Sequence, residues 1–192
     1  MKNRSKTAWG FFVIVFAGAL LTSMGCGGSG DGGTMAPAIS CIDGGAAGEN
    51  TVTMNCGAAV ASTTERVDVV IGGPLSGTTT LRGLNFDVIY DATKLEFVQD
   101  ATYTSPIFDP SALVIVALAG GQQGHIVVGI QQIGTVADVV VTPGQRVALS
   151  LSFRTVAGAT FDPTPLTFDR AEATAALPAV TFADGLALGY PQ

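Results

Sequence analysis

Leu84-Asn85-Phe86-Asp87-Val88-Ile89-Tyr90-Asp91 is the stretch whose reading decides the architecture. Leu84, Phe86, Val88 and Tyr90 share one parity, while Asn85, Asp87 and Ile89 share the other. Successive side chains of an extended chain point to opposite faces, so a period of two marks a strand with one buried face. The first set is predicted to face the core and the second to face outward. Asp91-Ala92-Thr93-Lys94 reads as a turn in which the Asp91 carboxylate accepts from nearby backbone N–H groups. Beyond it Leu95 and Phe97 resume the buried parity, which leaves Glu96 outward.

The same alternation recurs on both sides. Val52 and Met54 alternate with Thr53 and Asn55, and Val67, Val69 and Ile71 alternate with Arg66 and Asp68 up to the break at Gly72-Gly73-Pro74. Pro106 and Pro110 bracket a loop, after which Leu113 to Leu118 is a continuous apolar run. Such a run suits a strand covered on both faces, a pattern it shares with a buried helix. Ile126, Val128 and Ile130 alternate after a glycine-rich turn, and Val139 to Val141 ends at Pro143-Gly144. Val147, Leu149, Leu151 and Phe153 alternate with Ala148, Ser150, Ser152 and Arg154. Leu166 and Phe168, then Leu186 to Leu188, complete the series. About eight or nine short strands, punctuated by Gly and Pro and lacking a helical period, predict an all-β sandwich or barrel.

The N-terminus carries a different signal. Lys2, Arg4 and Lys6 precede the apolar run Ala8 to Leu21, and small residues then lead to Cys26. A basic start, a short apolar core and a small-residue exit mark a secretory leader over 1–25. The run has 14 residues, short of the roughly 20 that span a bilayer as a helix. Leu21-Thr22-Ser23-Met24-Gly25-Cys26 resembles a bacterial lipobox, which implies that Cys26 is lipidated and becomes the mature N-terminus. The expected location is the cell envelope, lipid-anchored through Cys26. By analogy with bacterial lipoproteins, Gly27 in place of an aspartate points to the outer membrane or cell surface. Residues 26–50, rich in Gly and Ala, read as a flexible tether, and 51–192 as the folded domain.

Composition narrows the function. The chain has 9 basic and 15 acidic residues. Loss of Lys2, Arg4 and Lys6 with the leader leaves 6 basic side chains, a formal charge of −9. That balance argues against binding nucleic-acid phosphates. With Cys26 assigned to lipid, Cys41 and Cys56 remain as an even pair, and an oxidising compartment favours their disulfide. No metal site or cofactor is expected, because two cysteines and the single His125 do not complete a tetrahedral shell.

The order of these elements resembles a cohesin domain, of the jelly-roll sandwich superfamily shared with certain carbohydrate-binding modules. Four stretches carry the resemblance in order: Val67 to Ile71; Leu84 to Asp91 followed by Leu95-Glu96-Phe97; Gly124 to Gly129; and Gly144 to Phe153. It covers about Thr51 to the C-terminus and implies a two-sheet jelly roll. It further implies binding of a dockerin-like module through one sheet face. Outward contacts of the family lie seven and five residues before the motif tyrosine, which here are Gly83 and Asn85. From the residues themselves, Asn85, Asp87 and Ile89 on one strand and His125, Val127 and Gln131 on another are expected to face outward. Ile89 and Val127 are apolar where solvent-facing positions are ordinarily polar, so they mark a candidate docking patch rimmed by Asn85, Asp87 and Gln131.

Catalytic machinery is not visible. No G-x-S-x-G elbow is present, and His125 has no nucleophile ordered against it in the sequence. Asp91 is accounted for as a turn cap and Glu96 as an outward strand residue, so no carboxylate pair is assigned to glycoside hydrolysis. The expected function is a non-enzymatic envelope lipoprotein that binds a protein partner. The alternative is a carbohydrate-binding module in polysaccharide binding or degradation, for which Tyr103, Phe108 and Tyr190 are the aromatic residues free to lie outside the core. The one tryptophan, Trp9, lies in the leader.

Overall fold

The computed structural model describes residues 39–189, apart from 44, 59, 61, 62, 75, 76, 160 and 161. The leader, Cys26, the tether up to residue 38 and Tyr190 lie outside the described residues. The strands are β1 Ser40–Ile42, β2 Thr51–Cys56, β3 Thr64–Gly72, β4 Thr79–Leu81, β5 Gly83–Ile89, β6 Leu95–Val98 and β7 Leu113–Leu118. They continue as β8 His125–Gln131, β9 Val139–Val141, β10 Gln145–Thr155, β11 Thr164–Thr174, β12 Thr181–Ala183 and β13 Leu186–Gly189. One sheet runs β1-β13-β11-β5-β8-β7 and faces a second, β12-β2-β3-β10-β6, while β4 and β9 form a separate two-stranded ribbon. The architecture is the all-β two-sheet jelly-roll sandwich.

Parity built the core. Leu84, Phe86, Val88 and Tyr90 are buried on one sheet, and Val67, Val69, Ile71, Leu149, Leu151 and Phe153 on the other. Apolar faces of two twisted sheets stack about 10 Å apart, the distance that large side chains fill when they interdigitate. Phe153 meets the Tyr90 ring edge-on at 5.3 Å and lies 5.8 Å from Phe97. Phe86 meets Phe168 edge-on at 5.3 Å. Phe168, read as buried, is only partly so, because it sits where the rings of Phe86 and Phe182 close the margin of the core. The Tyr90 hydroxyl donates to Gln123 Oε1, which also accepts the Phe97 N–H at 2.8 Å. A buried polar tip is thereby satisfied.

Several expectations need correction. There are thirteen strands among the described residues, not eight or nine. The additional ones include β1, β4 and β12, each three residues long and too short to display a period. The sandwich also begins before Thr51. Ile39 is buried, and β1 pairs antiparallel with β13, Cys41 opposite Leu188, so part of the 26–50 stretch is structural rather than a spacer. A disulfide joins Cys41 to Cys56, with Cα atoms 5.6 Å apart, tying β1 to β2. Asp43 lies beside it and its carboxylate accepts the Cys56 N–H. These three residues form a metal-ligand type of cluster, but both sulfurs are committed to each other.

Leu113 to Leu118 was expected to be covered on both faces. Instead β7 is an edge strand, and Leu113 and Ile115 are each 50% exposed. Phe108, offered as an exposed aromatic, is buried at 4%. Strand order leaves β7 at the edge, and the segment 99–112 explains the burial of Phe108, because it runs from β6, the edge of one sheet, to β7, the edge of the other. Its Tyr103, Ile107 and Phe108 pack against the core, with Tyr103 stacked on Phe97. Glu65 continues the inward parity of Val67 and is 7% exposed. Burial pushes its carboxyl pKa up.

Candidate interaction face

The outer face of the six-stranded sheet collects the residues that alternate with the core. In β5 and β8 the antiparallel register sets Asn85 opposite Gly129, Asp87 opposite Val127, Ile89 opposite His125 and Gly83 opposite Gln131. In β7, Leu113, Ile115 and Ala117 continue the same rows beside Gln131, Gly129 and Val127. Leu113, Ile115 and Val127, the last 36% exposed, therefore lie together on one face, with exposed Asn85 and half-buried Gln131 alongside. Ile89 is half-buried, so the apolar surface is centred on β7 and β8 rather than on Ile89.

Asp87 faces outward by parity yet is only 5% exposed. Two side chains cover it. His125 Nε2 lies 2.6 Å from Asp87 Oδ2, and the Arg170 guanidinium donates to the same oxygen. Arg170 reaches this position from β11, where the pairing with β5 shifts register between Asp169 and Glu172. Arg170 has φ 46° within that irregularity, and its N–H donates to Asp169 Oδ1 at 2.9 Å. A bulge inserts an extra residue and re-aims a side chain, which is what brings the guanidinium over Asp87. The Arg170 side chain remains 66% exposed. Asp87, expected as part of a polar rim, is instead the covered foot of a charged cluster, and the surface charge there belongs to Arg170.

Gly83 has a steric reason. A Cβ built on it would lie 2.3 Å from Gln131 Oε1 and 2.6 Å from the Ile130 carbonyl oxygen. The position where the resembled family presents a polar contact is thus closed to any side chain in this chain. Turn and rim residues behave as their chemistry requires. Asp91 Oδ1 accepts from the N–H and hydroxyl of Thr93, which holds its carboxyl below the usual range. Glu96 pairs with Arg154 through two hydrogen bonds of 2.7 and 2.9 Å on the opposite sheet, which likewise lowers its pKa. Neither carboxylate belongs to the face. Among the described residues no hydroxyl or thiol hydrogen-bonds to His125, so the His125–Asp87 pair is not ordered against a nucleophile.

No family model matches the sequence, and no curated protein matches it. Solved structures do. The sixth cohesin of scaffoldin B from Acetivibrio cellulolyticus, determined in complex with a Cel5 dockerin mutant, superposes with a TM-score of 0.53 at 17% identity, covering 71% of this chain and 95% of that one. A chain of the CaDoc0917–CaCohA2 complex at pH 5.5 gives a TM-score of 0.50 at 17% identity, covering 71% of this chain and 96% of that one. The fold is that of a cohesin domain. The four stretches that suggested a cohesin fall on β3, on β5 with β6, on β8 and on β10, in that order. The cohesin fold thus puts Asn85, Val127, Gln131 and Ile115 on adjacent strands of one open sheet face. Arg170 was not singled out in the sequence, and no local signal there marks it.

Proposed function

We propose that this chain is a non-enzymatic interaction module that docks a dockerin-like protein on the outer face of β11, β5, β8 and β7. The observation that carries the reading is the row of Leu113, Ile115 and Val127, exposed apolar side chains that share one face of adjacent strands with polar neighbours. Exposed apolar clusters rimmed by polar groups mark protein interfaces, and the fully desolvated centre of such a patch supplies most of the binding energy. Asn85, Gln131 and Arg170 form the rim, where polar groups set orientation. The solved cohesin with the same fold was determined bound to a dockerin, which supplies the class of partner. The leader and the lipobox-like run to Cys26 support a lipid-anchored module at the cell envelope, held off the membrane by the residues that follow.

Calorimetric titration of the purified chain with a panel of dockerin modules tests the reading. At least one module is expected to bind, and Val127→Asp is expected to weaken it about a hundredfold while the circular dichroism spectrum is unchanged, as burying an unpaired carboxylate within the patch requires. A panel with no binder, or a folded Val127→Asp that binds like wild type, would overturn it. Metabolic labelling with a fatty acid, lost in Cys26→Ser, tests the anchor.

A further inference from the structure

The far edge of β7 carries a second kind of surface, which borders the sheet face and shares Ile115 with it. β7 ends its sheet, and among the described residues no backbone hydrogen bond reaches it from any strand other than β8. Edge strands ordinarily blunt such a row of free N–H and C=O groups with charge, proline or a bulge. Leu113-Val114-Ile115-Val116-Ala117-Leu118 has none of these, and its pairing with β8 runs without a register shift. Two clefts lie between β7 and the segment 99–112, and Tyr103 lines both. One also takes in Asp100, Ile115 and Val116, the other Asp109 and Ala112, and Val114 borders each. Among the described residues, Asp100 and Asp109 are the only charged ones that line them.

We infer that β7 is a strand-addition site for an extended segment of a partner protein, β-branched at alternate positions and carrying a lysine or arginine at its ends. An added strand would complete the unpaired ladder of β7, and alternate side chains, about 7 Å apart along it, would enter the clefts on either side of Tyr103. Terminal cations would meet Asp100 and Asp109, which stand at exposed positions on the cleft rims. A second copy of this chain is the poorer occupant. Its own β7 carries no cation to meet Asp100 and Asp109.

Fluorescence anisotropy with the full chain and a labelled Lys-Val-Thr-Val-Thr-Val-Lys peptide tests the inference. The peptide is expected to bind about tenfold more tightly than its glutamate-ended counterpart, and Asp100→Lys, which leaves Asp109 in place, is expected to erase that preference. Backbone N-methylation of one parity of the peptide should abolish binding and of the other parity spare it, since only one set of N–H groups faces β7. Val127→Asp should leave peptide binding intact, which separates this site from the sheet face. No binding, equal tolerance of both methylated peptides, or indifference to Asp100→Lys would overturn the inference. So would a chain dimer, seen by sedimentation, that the lysine-ended peptide disperses, because a second copy would then own the edge.

Discussion

Phe153→Ala is expected to remove a large share of the stability of the sandwich. Phe153 is fully buried on β10, opposite Phe97 in register, and its ring touches those of Tyr90 and Phe97. Truncating a buried phenylalanine costs about 3–5 kcal/mol through lost transfer energy and the cavity left behind. Two ring pairs, each about 0.5–1.5 kcal/mol beyond burial, place the loss in the upper part of that range. Tyr90 directly follows β5 and Phe97 lies on β6, strands of different sheets, so neither sheet alone can collapse to fill the gap. A domain of this size is stable by roughly 5–15 kcal/mol, so the variant should fold marginally. Urea denaturation followed by circular dichroism reads the effect. With an m-value near 2 kcal/mol/M, the midpoint should fall by about 2 M at unchanged slope. Phe168→Ala, partly buried at the core margin, should lose about half as much. A Phe153→Ala midpoint equal to wild type would mean that Phe153 does not fill the space between the sheets, and the parity assigned to β10 would fail with it.

Phe86→Ala should behave like Phe153→Ala in the same assay, since Phe86 is likewise buried on the facing sheet and touches two rings. Reduction of the Cys41–Cys56 bridge, a separation of 15 residues, should cost about 3 kcal/mol, read as a lower midpoint in dithiothreitol and absent from a Cys41→Ser/Cys56→Ser double variant. Glu65→Gln should raise the thermal midpoint at neutral pH. Burial raises the Glu65 pKa in the folded state, so the native state holds that proton more tightly than the unfolded chain. Stability therefore falls as pH rises from below the ordinary glutamate pKa through the folded one. Glutamine has no such fall, so the advantage should vanish in acid, and a gain that persists there would contradict the reasoning. Gly83→Ala should destabilise by about 1–3 kcal/mol in urea, because its Cβ would overlap the Ile130 carbonyl oxygen. A neutral effect would show that the close approach of β5 to β8 is not needed.

The alternating strands were legible in the sequence because parity is a local property of extended chain. Val67 to Ile71, Leu84 to Val88, Ile126 to Ile130 and Leu149 to Phe153 each state which face they bury, and each lies in a strand that buries that face, whereas a register shift after Val147 breaks the period and buries Ala148, which was read as outward. The turn cap at Asp91 was equally local, its partner Thr93 being two residues away. The paired cysteines were read the same way, by counting. Tertiary structure decided the rest. Ser40–Ile42 is a strand only because β13 offers an edge 149 residues away for Ser40 to bond. Leu113 to Leu118 reads alike whether it lies mid-sheet or at an edge, and only the strand order leaves Ile115 half in water. Asp87 shares its parity with Asn85 and Ile89, yet it is buried because His125 arrives from 38 residues away and Arg170 from 83. A period fixes the direction in which a side chain points, whereas its neighbours depend on which strands the chain brings together and on where a bulge turns them.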